Sequence, residues 1–251
     1  ARRIADTIEA RRAEIATTLE GPIEVIYSPK PVLASDPDRP AEGERLLFSA
    51  ERVANTGKNA KWGGFLYLCA REAGSRAGVE LGACAGLSAY YLGSAPSMER
   101  LITIEGSAAL ADVARETLRP LGNKVHVVNK LFNEALDDLL PSMEGIDLAY
   151  IDGHHEKVAT RTYFERLKPV LASGAIILFD DISWSQDMRD GWDEICQMPC
   201  ISDCIDLGAV GLCIWDPEST SARIWDLRRM MGISGVGNPH GWDKKSGTLV
   251  N

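Results

Sequence analysis

Between residues 78 and 179 the chain repeats one pattern: a short apolar run, a turn, then a stretch with apolar positions three and four apart. The apolar runs fall at 78–82, 101–105, 124–128, 146–151 and 175–179, and the helical stretches at 88–92, 108–118, 133–140 and 158–171. Runs this short and this apolar predict strands buried on both faces, with right-handed helical crossovers between them. The implied fold class is α/β: a doubly wound, mostly parallel sheet with helices on both faces. Gly174, after Lys168-Pro169-Val170-Leu171, is expected to end the last helix before strand 175–179. Two later runs, 201–207 and 210–215, flank Gly208-Ala209 and predict a terminal hairpin.

Outside this series the pattern changes. Residues 1–20 place Ile4, Ile8, Ile15 and Leu19 among charges, as an amphipathic helix does. Residues 21–44 carry Pro22, Pro29, Pro31, Pro37 and Pro40 with little periodicity, and read as an extended arm. Helical spacing resumes over 45–75 and breaks at Asn55-Thr56-Gly57-Lys58-Asn59. Residues 217–251, rich in Gly, Ser and charge, read as a disordered tail or a lid. The organisation is thus an N-terminal helix and arm (1–44), one α/β domain (45–216) and a C-terminal tail (217–251).

Composition narrows the function classes. A chain of 251 residues, 45% hydrophobic, can bury a full core without staples. The net charge of -9 and the absence of a basic stripe argue against nucleic acid. No apolar stretch approaches the length of a membrane span, and no charged-then-apolar leader opens the chain. Cys69, Cys84, Cys196, Cys200, Cys204 and Cys213 form no Cys-x-x-Cys pair, so zinc is not expected and the thiols read as reduced, in a cytoplasmic protein. Cys196, Cys200 and Cys204 are four apart, but Pro199 interrupts the segment and argues against a shared helical face.

The chemistry-bearing residues gather at strand ends. Val79-Glu80-Leu81-Gly82-Ala83-Cys84-Ala85-Gly86 is an apolar strand entering a glycine turn, and Leu101–Glu105 is a second strand closing on a carboxylate. That is the layout of a nucleoside-cofactor site, where glycines admit the ligand to the backbone and the acid takes the ribose hydroxyls. The spacing is Gly-x-x-x-Gly, so the dinucleotide pattern is absent; the bland alternative is a tight strand-to-helix turn. Asp152 ends the fourth strand, and Asp180 and Asp181 the fifth. Three converging carboxylates would repel one another unless a hard cation such as Mg²⁺ or Mn²⁺ lay among them. Alternatively, Asp180 caps the next helix and Asp152 holds cofactor or structure. His155, with His154 as its rival, is the candidate base beside Asp152. His126 and His240 carry no such context and read as structural. Trp184 and Trp192 either flank an acceptor or pack the following helix. Trp62 and the 56–59 loop either close over the cofactor or cap a helix.

From about Gly57 to Trp215 the chain resembles the class I S-adenosylmethionine-dependent O-methyltransferases, in particular the catechol and caffeoyl-coenzyme A branch with its bacterial relatives. The carriers are Trp62-Gly63-Gly64-Phe65-Leu66, Glu80 to Ala89, Tyr150-Ile151-Asp152-Gly153-His154-His155, and Phe179-Asp180-Asp181-Ile182-Ser183-Trp184. The resemblance implies a Rossmann-like sheet of seven strands in the order 3-2-1-4-5-7-6, the seventh antiparallel. It implies S-adenosylmethionine as cofactor, held by Glu80, Gly82, Ala83, Gly86, Ser88, Glu105, Gly106, Ser107, Asn133 and Asp152. Asn133 stands where relatives place a glycine beside adenine, and Gly64 where they carry glutamine. It implies Mg²⁺ or Mn²⁺ on Asp152, Asp180 and Asp181, with Asp181 in place of the usual amide. The partner it implies is a small hydroxylated acceptor, in a homodimer or higher homo-oligomer. Two other readings stand beside it: a metal-independent O- or N-methyltransferase using a histidine alone, and a non-catalytic cofactor-binding regulatory protein.

Overall fold

The computed structural model describes residues 2–27, 44–233 and 236, with the backbone of 242–243 and 248–249. The described residues fall into two compact units, 2–27 with 44–149 and 150 onward. Among the described residues no helix is long and apolar enough to cross a membrane.

In the first unit, helix α1 (Arg2–Thr18) buries Ile8 and Ile15 as its periodicity predicts. The arm differs from expectation at both ends. Strands β1 (Ile23–Tyr27) and β2 (Glu44–Phe48) pair antiparallel, from Ile23 opposite Phe48 to Tyr27 opposite Glu44. The alternation Ile23-Glu24-Val25-Ile26 was too short to separate from a linker, and pairing with a distant strand decides it. Helices α2 (Ala50–Thr56) and α3 (Ala60–Glu72) follow, broken where the sequence predicts. Val25, Phe48, Val53, Tyr67, Leu87, Tyr91 and Leu110 pack with Ile8 and Ile15 in one buried cluster.

The parallel series begins with β3 (Ala77–Leu81), then α4 (Leu87–Gly93), β4 (Arg100–Glu105), α5 (Ala108–Leu118), β5 (Val125–Asn129), α6 (Phe132–Leu139) and β6 (Ile146–Ile151). β4 pairs in parallel with β3 on one side, Val79 opposite Ile102, and with β5 on the other, Ile104 opposite Val128. The order in this unit is β6-β3-β4-β5. His126 is exposed on β5.

The second unit holds α7 (Lys157–Leu167), β7 (Leu171–Asp180), α8 (Gln186–Cys196), β8 (Ile201–Asp206), β9 (Val210–Trp215) and β10 (Arg223–Asp226). β9 runs antiparallel to both β7 and β8, and the order is β10-β8-β9-β7. Numbered along the main series, the first unit supplies strands 3-2-1-4 and the second 5-7-6. The fold is Rossmann-like α/β as expected, with one strand more. That extra strand, β10, lies in the stretch read as tail or lid. It pairs parallel to β8 and is tied there by Asp203, which accepts from Arg223 Nη2 at 2.8 Å and from Trp225 Nε1 at 3.2 Å. All four β10 residues are exposed, so no apolar alternation announces the strand. Gly174 does not stop a helix: with φ 81° it lies inside β7, where a left-handed residue bends the strand before its buried half. Phe179 meets Phe164 and Trp192 edge-on at 5.4 and 5.9 Å, and any Cβ at Gly211 would strike the Trp192 ring at 2.4 Å. Trp192 is therefore core. Strands β11 (Trp242–Asp243) and β12 (Thr248–Leu249) form a separate antiparallel pair. His240 lies outside the described residues.

Candidate functional site

The glycine turn lies within the first unit. The backbone leaves β3 through Gly82 at φ 105°, Cys84 at φ 45° and Gly86 at φ 79°. The amides of Gly82 and Ala83 both donate to the Ile104 carbonyl at 3.0 Å, which anchors the turn to β4. A Cβ on Gly86 would lie 3.1 Å from Ala114 Cα and 3.2 Å from its carbonyl oxygen, so this glycine also sets how closely α4 packs on α5. Cys84 is a non-glycine residue held left-handed, the kind of strain that concentrates at functional turns.

Glu105, the last residue of β4, reaches back to that turn. Its Oε2 accepts from the Cys84 amide and its Oε1 from the Ser107 amide, both at 2.8 Å. Each oxygen retains a lone pair beyond the one engaged. Burial pushes the Glu105 carboxyl up to about 7, against the lowering pull of the Ser107, Cys84 and Gly106 amides. The Asn129 side chain donates to the carbonyls of Glu105 at 2.8 Å and Gly106 at 3.2 Å, fixing the backbone just past the strand. Glu80 is engaged inside the unit: the Thr103 hydroxyl donates to its Oε2. Burial raises Glu80 to about 7 as well, with the Ser88 and Thr103 hydroxyls opposing and the Glu105 charge adding to the rise. The Ser107 hydroxyl donates to the Glu24 carbonyl at 2.6 Å and accepts from Leu110 N, capping α5. Gly106 lies where a Cβ would come 3.1 Å from Leu131, and Asn133 is the second residue of α6. The 56–59 loop takes the cap reading: Asn59 accepts from Trp62 N at 3.1 Å. Arg12 of α1 donates to the Ala54, Gly57 and Lys58 carbonyls around it.

The acid and histidine residues lie in the second unit. The Tyr150 hydroxyl donates to Asp152 Oδ2 at 3.0 Å. His154, at φ 55°, puts Nδ1 2.6 Å from the Tyr163 hydroxyl and stacks its ring on Tyr163 at 5.9 Å. Burial, and then the neighbouring His155, push His154 down to about 4, so it stays neutral near pH 7. His155 turns the other way. Its Nε2 lies 3.6 Å from Asp181 Oδ2, and its ring 5.8 Å from that of Trp184. That separation is long for a hydrogen bond and short enough for a charge on the imidazole to be felt. Asp180, closing β7, is 2% exposed. Asp181 follows at φ 53°, with its carbonyl accepting from Trp184 N at 2.8 Å. Behind this turn the buried Arg189 of α8 donates to Ser183 Oγ at 3.2 Å and to Asp206 Oδ2 at 2.5 Å.

The three-carboxylate cation site is not what this arrangement provides. Among the described residues no three His, Cys, Asp or Glu side chains gather so as to hold a metal ion. Asp152 accepts from Tyr150, Asp180 is buried at the strand end, and Asp181 faces His155. Asp181 has a left-handed backbone, at φ 53°, which strand-end position in the sequence does not reveal. The Mg²⁺ or Mn²⁺ that the resemblance implies on Asp152, Asp180 and Asp181 is therefore not shown. Sequence reasoning also missed Tyr163, Asn129 and Arg189. Asn129, an amide at a strand end beside the acid-bearing strand, was the one of these with a signal to find it.

Residues 79–182 match the family model described as a methyltransferase domain. No curated protein matches the chain. Among solved structures, the O-methyltransferase from Bacillus cereus in complex with SAH is 22% identical, with a TM-score of 0.58 over 64% of this chain and 84% of that one. TomG, an O-methyltransferase from Streptomyces achromogenes involved in tomaymycin synthesis and solved with SAM, is 20% identical, with a TM-score of 0.54 over 64% and 82%. A putative caffeoyl-CoA O-methyltransferase from Staphylococcus aureus is 15% identical, with a TM-score of 0.55 over 63% and 85%. At these identities the likeness is one of fold.

Proposed function

We propose that this chain, a methyltransferase of the class I fold, transfers a methyl group from S-adenosylmethionine to a hydroxyl of a small-molecule acceptor. The observation that carries the cofactor assignment is the bond from Glu105 Oε2 to the Cys84 amide, which joins the strand-end acid to the glycine turn. The remaining lone pairs of Glu105 suit the two ribose hydroxyls, and the left-handed turn at Gly82, Cys84 and Gly86 suits close approach of a ligand to backbone. The bound cofactor supplies an electrophilic sulfonium methyl. The chain's task is then to orient it and to take the acceptor's proton.

His155 is the base in this reading. As the acceptor oxygen bonds to the methyl carbon, the imidazole of His155 takes the hydroxyl proton, and Asp181 at 3.6 Å stabilises the imidazolium that results. His154, buried against Tyr163 and depressed to about 4, holds the loop instead. Trp184, beside His155, offers an apolar face to the acceptor.

Isothermal titration of Glu105→Ala with S-adenosylmethionine tests the reading. Losing charge-assisted hydrogen bonds worth about 1.5–3 kcal/mol weakens binding by at least about tenfold. Unchanged affinity in a folded variant removes Glu105 from the site. In the unsubstituted protein, affinity should rise with pH up to about 7, since ribose hydroxyls donate to the ionised form of an acid whose carboxyl burial has raised.

A further inference from the structure

Three thiols from three successive elements meet in the second unit, and nothing in the proposed reaction uses them. Cys204 of β8 and Cys213 of β9 are directly opposed in the antiparallel ladder, and their Sγ atoms lie 3.4 Å apart. Cys196, in the last turn of α8, is near enough to Cys204 for each thiol to shift the other. Cys204 and Cys213 are fully buried, and Cys196 is 5% exposed. We propose that Cys204 and Cys213 form a redox-active dithiol that a hydroperoxide converts to a cross-strand disulfide, with Cys196 as the thiol that exchanges with it.

The geometry requires little movement. Residues opposed in an antiparallel ladder have Cα atoms about 4.5–5.5 Å apart, inside the span of about 4.4–6.8 Å that a disulfide bridges. The sulfurs must close from 3.4 Å to about 2.05 Å, which side-chain rotation on a fixed backbone supplies. One thiol of the three is prepared as a nucleophile: hydrogen bonds from Cys196 and Cys213 lower the Cys204 thiol, while Cys213 and Cys196 are raised. A thiolate receiving the S–H of Cys213 at 3.4 Å is stabilised although it is buried.

The chemistry balances in two displacements. Cys204 sulfur attacks one oxygen of the hydroperoxide, the O–O bond breaks, and the leaving oxygen departs as water or alcohol with the thiol proton; Cys204 is oxidised to sulfenic acid. Cys213 sulfur then attacks that sulfur, the S–O bond breaks, and water leaves with the Cys213 proton. Two thiols are oxidised by two electrons and one peroxide is reduced. Return to the dithiol proceeds by attack of Cys196 on Cys204. This frees Cys213, which takes the Cys196 proton, and leaves a Cys196–Cys204 bridge that an external thiol reaches through Cys196, the more exposed of the pair.

The test is hydrogen peroxide treatment of the full chain, alkylation in denaturant, and peptide mapping by mass spectrometry. The expected product has lost two hydrogens and links peptides 201–206 and 210–215, while the half-buried Cys69, Cys84 and Cys200 serve as controls. Alkylated Cys204 and Cys213 after treatment, or oxidation confined to the control cysteines, overturns the proposal. Cys213→Ser should instead accumulate a sulfenic acid at Cys204 that dimedone traps; if that variant does not fold, the map of the unsubstituted chain decides. Cys196→Ser should still form the bridge but be reduced by dithiothreitol at least about tenfold more slowly. An unchanged rate removes Cys196 from the exchange.

Discussion

The candidate residues of the first unit and those of the second are held by different means. At the end of β4, Glu105 is fixed by backbone amides, of Cys84 from the glycine turn and of Ser107 from the start of α5. In the second unit, His155, His154 and Asp152 are held by other side chains: Asp181, Tyr163 and Tyr150. A site made of backbone donors survives changes in the residues that carry them, provided the backbone can bend. A site made of side chains depends on each partner's identity. The difference predicts where substitutions are tolerated: the glycine turn is sensitive to shape, the histidine loop to chemistry.

The largest test of that contrast is at His155. His155→Ala is expected to lower turnover by roughly 10²–10⁴-fold, the contribution of a positioned base, with cofactor affinity nearly unchanged. His154→Ala should cost far less turnover and show instead as a lower melting temperature, because its ring fills space against Tyr163. Reversed losses would exchange the two roles.

Next in size is the pH dependence of ligand-free stability. Glu80 and Glu105 both rise from 4.5 to about 7 in the folded state. Between those values the folded protein keeps protons that the unfolded chain has released, so stability falls as pH rises through the window and levels above it. The combined drop is on the order of a few kcal/mol. Denaturant unfolding at several pH values measures it, and Glu80→Gln should flatten part of the slope. A slope unchanged by Glu80→Gln would mean that Glu80 is not the group that titrates.

A smaller effect is expected at Gly86. Gly86→Ala places a Cβ in a left-handed backbone, 3.1 Å from Ala114 Cα, and should cost on the order of 1–3 kcal/mol in unfolding with a matching loss of cofactor binding. Binding intact in a destabilised protein would make this glycine a packing device only. The smallest expected effect is none at all: because the side chains form no cation cage, EDTA should leave methyl transfer unchanged. Loss of activity on chelation, restored by Mg²⁺, would reverse that reading and return Asp152, Asp180 and Asp181 to a metal.

The legible part of the fold was the part with strong periodicity. Strands buried on both faces, such as Leu101 to Glu105, are near-continuous apolar runs, and α5 repeats its apolar positions at helical spacing. The pair β1 and β2 was lost in a proline-rich context, and β10 was lost because its four residues are all exposed. Each of these strands exists because a partner far along the chain offers a free edge. At the candidate site the same division holds. Glu105 and the glycine turn belong to one local strand–turn–helix unit followed by one strand. His154 meeting Tyr163, and Cys204 meeting Cys213, depend on where whole elements are laid down.

By itself the sequence determined the α/β series, the glycine turn and the acid closing the second strand, because each is encoded within a few neighbouring residues. Burial periodicity and turn chemistry act over that range. Only the tertiary structure decided which histidine faces Asp181 and that Cys204 lies against Cys213. Side-chain direction at a strand end follows from a single backbone angle, such as φ 53° at Asp181, and from the neighbours that direction then meets. Neither is written in the spacing of residue types, because one left-handed residue redirects a carboxylate without changing a letter of the pattern.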